Sequence, residues 1–137
     1  MRDPMLIAFG KDVLGMTDED MAKIPHDRDQ EYLNAMKNMA KYRLVAEVVK
    51  SKYCAAGVKV GQKIVMNGVQ IDRAASDCPL CVGALAPLSR ALAVYLDRCY
   101  HDRDLEAPLS GFACMDPGLE VGGLGQVLFS LKIEPVT

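Results

Sequence analysis

The cysteines constrain this chain more than any other feature. There are five, and two of them form Cys78-Pro79-Leu80-Cys81. A CxxC pair is either a metal knuckle or a thioredoxin-like redox pair, and the surrounding chain must decide between them. A redox pair opens a helix directly after a strand of a parallel βαβ unit. Here Pro87 follows, and proline is tolerated in the first turn of a helix. The spacing therefore predicts a helix starting near residues 84–86 and leaves the pair in a loop. Cys54 and Cys114 each fall where an expected strand ends. Loops at strand ends can converge, and four thiolates make the closed tetrahedral set that structural zinc takes. The reading is a zinc site of Cys54, Cys78, Cys81 and Cys114. Fewer ligands, another metal, an iron–sulfur cluster or unmetallated thiols are the alternatives. Cys99 lies far along the expected helix, roughly 20 Å from the loop, and reads as a buried, inert thiol.

Half of the 137 residues are apolar, enough to bury one sizeable core. The net charge is −2, and Lys and Arg are interleaved with Asp and Glu throughout. That leaves no concentrated positive face for phosphates, so nucleic acid is not an expected partner. With few aromatics and no Trp, a stacking platform for single strands is missing too. The apolar runs are too short to span a bilayer. In MRDPMLIAFGKDVLG the apolar stretch from Met5 to Phe9 is too short for a signal segment, and Asp3 and Pro4 stand where basic residues belong. The expectation is a cytoplasmic protein with no membrane partner, in which thiols stay reduced.

Residues 1–41 read as a helical N-terminal extension carrying six of the eight methionines. Thr17 is a plausible N-cap with Asp20 three residues on, opening a short helix that Pro25 ends. A second helix runs from Asp27 or Asp29 to Lys41, its apolar stripe made by Tyr32, Met36, Met39 and Ala40. Flexible methionines suit irregular grooves, so these helices either cover their own domain or bind a partner. From Tyr42 the period changes. Residues 42–50 read as a strand, and residues 63–71 as two short strands around an Asn67-Gly68 type I′ turn. Next come the CxxC loop, a helix from about Leu85 to Cys99 with Leu85, Leu88, Leu92, Leu96 and Cys99 on its stripe, a short strand near residue 112, and a last strand over 125–134. In that strand Val127, Phe129, Leu131 and Ile133 alternate with polar residues. The fold class is α+β: a small, mostly antiparallel sheet packed on one central helix, with the helical extension 1–41 ahead of a cysteine-rich domain 42–137.

Other chemistry is thin. His26 and His101 each open an HDRD run, and surface roles are the default, with a ligand or acid–base role at an interface as the alternative. Gly122-Gly123-Leu124-Gly125 lacks the pattern of a nucleotide loop and reads as a turn. Asp72, Asp77 and Asp116 are loop carboxylates. Four cysteine ligands would close a zinc ion to substrate, which points away from catalysis in this chain alone.

The motif residues resemble a family of small proteins frequent in anaerobic bacteria and archaea. Its pattern is a strand, Cys-x-x-Gly with a nearby Val-Gly, Cys-Pro before a helix, and Cys-x-Asp-Pro before a last strand. Here the matches are Cys54, Gly57, Val60 and Gly61, then Cys78 and Pro79, then Cys114, Asp116 and Pro117. Cys81 and the extension 1–41 depart from the pattern. The chain also looks like the small subunit of acetophenone-carboxylase-type enzymes, ATP-dependent and biotin-free. That resemblance implies a non-catalytic, zinc-binding accessory subunit, held to larger catalytic subunits by the Met-rich helices. The contrasting expectation is a stand-alone thiol or metal-dependent enzyme using the Cys78/Cys81 pair.

Overall fold

Helix gives way to strand without a connecting loop at Tyr42, and this junction organises the chain. The computed structural model describes residues 2–136. Ahead of the junction lie α1 (Pro4–Ala8), one turn of π-helix (Phe9–Val13), α2 (Asp18–Ala22), a 3-10 turn (His26–Arg28) and α3 (Asp29–Lys41). Beyond it come β1 (Tyr42–Lys52), β2 (Lys63–Asn67), β3 (Gln70–Ile71), α4 (Val82–His101), β4 (Leu109–Ala113), a 3-10 turn (Leu119–Val121) and β5 (Gln126–Pro135). All strand pairings are antiparallel, in the order β3-β2-β1-β5-β4. The α+β class expected from the sequence is therefore the one observed.

The long β1 pairs on both sides, with β2 and with β5, so its alternate residues Leu44, Ala46 and Val48 sit at the centre of the core. They join Ile64 and Met66 of β2 and Val127, Phe129 and Ile133 of β5 on the face covered by α4. The alternation anticipated for β5 holds, with Leu131 half-buried. The α4 stripe differs. Its buried residues are Ala84, Leu88, Ala91, Tyr95 and Cys99, whereas Leu85, Leu92 and Leu96 are only half-buried. The small alanines bring the helix backbone close to the sheet, and the bulkier leucines are displaced to its flanks.

Two boundaries also differ. The hairpin turn is centred on Gly68-Val69, because Asn67 pairs with Gln70. Gly68 takes φ 59° and Val69 is not among the positive-φ residues, which is the type II′ pattern rather than I′. Helix α4 begins at Val82, not near 84–86, and Pro87 lies within it. A helical residue at position 87 would donate to the carbonyl of Gly83. Proline cannot, and the Met115 N–H donates to that carbonyl instead, at 3.1 Å. The helix tolerates Pro87 because a distant loop satisfies the acceptor the proline abandons.

Thr17 caps α2 by accepting from the Asp20 N–H, and α3 ends at Lys41, both as expected. The apolar stripe of α3 is rotated, however: Ala35 and Asn38 are buried and Ala40 is exposed. The polar Asn38 takes a core position because it caps a neighbour. Its amide donates to the Cys99 carbonyl (2.9 Å) and to Asp102 Oδ1 (3.0 Å) at the end of α4. Asn34 donates to the Tyr100 carbonyl, and the Tyr32 and Tyr100 rings meet edge to face. Helix α3 thus packs along α4, while α1 rests on α3.

Candidate thiol and metal centre

Each cysteine is delivered to its place by a separate piece of backbone. A β-bulge at Val49 interrupts the β1–β5 register, and after β1 Tyr53 adopts φ 52°, turning the chain into Cys54. The Cys54 carbonyl then accepts from the Gly57 N–H, closing a tight turn. Cys78 arrives by a different route. Segment 72–78 runs along the outer edge of β2. Ser76 Oγ accepts from the Val65 N–H, Asp77 Oδ1 accepts from the Lys63 N–H, and the Asp77 and Cys78 N–H groups both donate to the Lys63 carbonyl. This loop occupies an edge that another strand would otherwise take. Cys81 is the N-cap residue of α4, its carbonyl accepting from Ala84 and Leu85. Cys114 follows β4, donates its N–H to the Val127 carbonyl, and is tied to the first turn of α4 by the Met115–Gly83 bond.

Asp116 holds the last loop shut. Its carboxylate accepts from the N–H groups of Gly118 (3.0 Å), Leu124 (3.0 Å) and Gly125 (2.9 Å). The Gly118 and Gly125 bonds hold this carboxyl below its ordinary value. Gly125 must lack a side chain, because a Cβ there would lie 2.5 Å from the Tyr53 carbonyl oxygen. The carboxylate and this close approach together press the Cys114 loop against the chain that leads into Cys54.

The result is a cavity of about 140 Å³ lined by Cys54, Cys81 and Cys114 together with apolar groups including Val58, Ala84 and Phe129. Cys78 does not line this cavity; it is buried and borders a separate one with Ile71, Arg73, Ser76 and Leu80. Desolvation raises its thiol above the ordinary value, with Asp77, Cys54 and Cys81 adding to the effect. The structure thus brings three of the four sequence-nominated cysteines into one cavity and leaves the fourth outside it, within electrostatic reach of Cys54 and Cys81. All five cysteines are free, and among the described residues no three His, Cys, Asp or Glu side chains are arranged as a metal-ligating group. Cys99 is fully buried in the core, its thiol pushed up to about 11 by desolvation, as expected of an inert residue.

The CxxC pair does not lie well ahead of its helix, since Cys81 itself heads α4. Proline chemistry read locally misplaced the start, because the compensating Met115 donor lies 28 residues downstream of Pro87. The three loop carboxylates do not pair with one another. Asp72 and Asp77 accept from backbone N–H groups, as Asp116 does. His26 lies 3.7 Å from Asp29 and His101 3.4 Å from Asp97, and both histidines are exposed. The roles of Asp77 and Met115 went unseen in the sequence. Only the Asp116-Pro117-Gly118 turn carried a local signal.

No family model, curated protein or solved structure matches the chain. No described helix is long and apolar enough to cross a membrane.

Proposed function

We propose that this chain is a zinc-binding accessory subunit, with Cys54, Cys78, Cys81 and Cys114 as the ligands. The observation that carries the reading is the convergence of Cys54, Cys81 and Cys114, from three separate pieces of backbone, on one cavity; Cys78 is buried outside it, within electrostatic reach of Cys54 and Cys81. Burial of a thiol among other thiols disfavours its charged form. A divalent cation reverses that balance by neutralising the thiolates it binds, and its binding releases their protons. Four thiolates would leave no open position, so the metal would brace the loops rather than act on substrate. The resemblance to small subunits of acetophenone-carboxylase-type enzymes supports placing the chain beside larger catalytic subunits of a cytoplasmic ATP-dependent, biotin-free carboxylase.

Elemental analysis and native mass spectrometry of the full chain test the metal. One zinc per chain is expected, lost in Cys54→Ser, Cys78→Ser, Cys81→Ser and Cys114→Ser and retained in Cys99→Ser. Equal loading in all five variants would overturn the site. Native mass spectrometry of the complex isolated from its source cell tests the accessory role. Large subunits carrying this chain support it, and a bare monomer or homodimer overturns it.

A second reading has one specific support, the position of Cys81 at the head of α4, where reactive CxxC cysteines sit. It makes the chain a thiol enzyme in which Cys81 attacks and Cys78 resolves. Mild oxidation would then yield a Cys78–Cys81 disulfide. Thiols that resist alkylation until a chelator is added would exclude it.

A further inference from the structure

At the far edge of the sheet, away from the cysteines, α4 and β4 enclose a groove of about 400 Å³. Its apolar floor includes Val94 from the helix, Leu109 and Phe112 from β4, and Leu131 from β5. Two guanidinium groups, Arg90 and Arg98, complete the helix wall. Arg90 is exposed, and none of the ion pairs among the described residues involves it. Arg98 is pinned. It donates to the carbonyls of Asp104 (3.0 Å) and Ala107 (2.9 Å) and joins no ion pair either. The groove therefore mixes apolar side chains with the polar Ser110 and is cationic at two points, with no described carboxylate paired to either cation.

Spacing identifies what fits. Arg90, Val94 and Arg98 stand four residues apart on one helix face, a repeat of about 6 Å and a span of about 12 Å between the two cations. Alternate side chains of an extended peptide repeat at about 6.6 Å on one face. An acidic residue, an apolar residue two positions on and a second acidic residue two further would meet Arg90, Val94 and Arg98 in turn. The other wall is β4, which pairs only with β5. Its outer backbone groups are open to an added strand. We infer that this groove binds an extended segment of a partner protein bearing the pattern acidic–x–apolar–x–acidic. The inference stands apart from the cysteine site and needs no metal.

The test is selection from a displayed library of random peptides about twelve residues long, panned on the full chain and on Arg90→Glu. Arg90 is exposed, so the variant should fold, and circular dichroism confirms it. The wild type should enrich the acidic–x–apolar–x–acidic pattern. A synthetic consensus peptide should bind about tenfold more weakly to Arg90→Glu, and more weakly again as salt is raised. Placing Lys at the first acidic position should restore binding to the variant. Four results overturn the inference. Two are no enrichment from the library, and enrichment without acidic residues that Arg90→Glu leaves unchanged. The third is displacement of the peptide by simple aliphatic or aromatic monocarboxylates at equal concentration, marking a small-molecule site. The fourth is self-association in sedimentation that Arg90→Glu abolishes, marking a second copy as the occupant.

Discussion

Asn38 is a polar residue in a core position, and Cys99, whose carbonyl it holds, is a buried thiol. Asn38 is the one buried polar residue of the described chain. Its amide closes the end of α4 on both a carbonyl and a carboxylate. Replacing it with Ala orphans those acceptors and should cost about 1–3 kcal/mol in chemical denaturation. The partner carboxylate, Asp102, is held below its ordinary value by Lys37 first and Asn38 second. A lowered carboxyl contributes stability that is fully present above its unfolded value, near pH 4, and is lost as pH falls through its lower folded value. Thermal melts across the acid range should therefore show Asp102→Asn flattening the decline that the wild type suffers below about pH 4. Cys99 follows the opposite logic. Burial raises its thiol to about 11, so native-state alkylation followed by peptide mapping should leave it unlabelled. Labelling of Cys99 as fast as of Cys114 would contradict the packing described.

Among the elements, α4 and the loop after β4 depend on each other. Pro87 frees the Gly83 carbonyl and Met115 fills it. Pro87→Ala supplies a local donor that competes for the same acceptor. The expected result is faster hydrogen exchange at the Met115 amide while α4 itself is no less stable. The expectation for residues 84–86 failed for this reason: a proline's cost depends on who else can use the carbonyl it leaves. The apolar stripes of α3 and α4 failed similarly. Leucine and methionine carry the hydrophobic signal in a sequence, but close packing of α4 on the sheet selected Ala84 and Ala91. Strand β5, whose inner face packs against one partner layer, was legible residue by residue.

For the whole molecule, the N-terminal region divides. Helix α3 packs along α4, whereas α1 touches the rest through α3, with Arg2 donating to the Ile24 carbonyl and lying 3.6 Å from Asp29. Deleting residues 1–24 should leave a cooperative unfolding transition. Deleting 1–41 removes the α3 partners of Cys99, Tyr100 and Asp102 at the end of α4, and should abolish that transition in calorimetry. A core that still melts cooperatively without α3 would show that the sheet and α4 suffice.

From α2 onward, local pattern set the kinds of element and their order, because period, caps and turn residues act over a few bonds; α1 and the π-helical turn at Phe9–Val13 carried no such signal. The sequence by itself also determined that Cys54, Cys78 and Cys114 lie at or between strand ends, since that follows from element order alone. Tertiary structure decided which thiols share a cavity, where α4 begins and which helix face is buried. Those outcomes rest on bonds between distant segments, such as Met115 to Gly83, Asp77 to Lys63 and Asn38 to Cys99. A hydrogen bond between such segments is settled only when the chain brings donor and acceptor together, so no local pattern announces it.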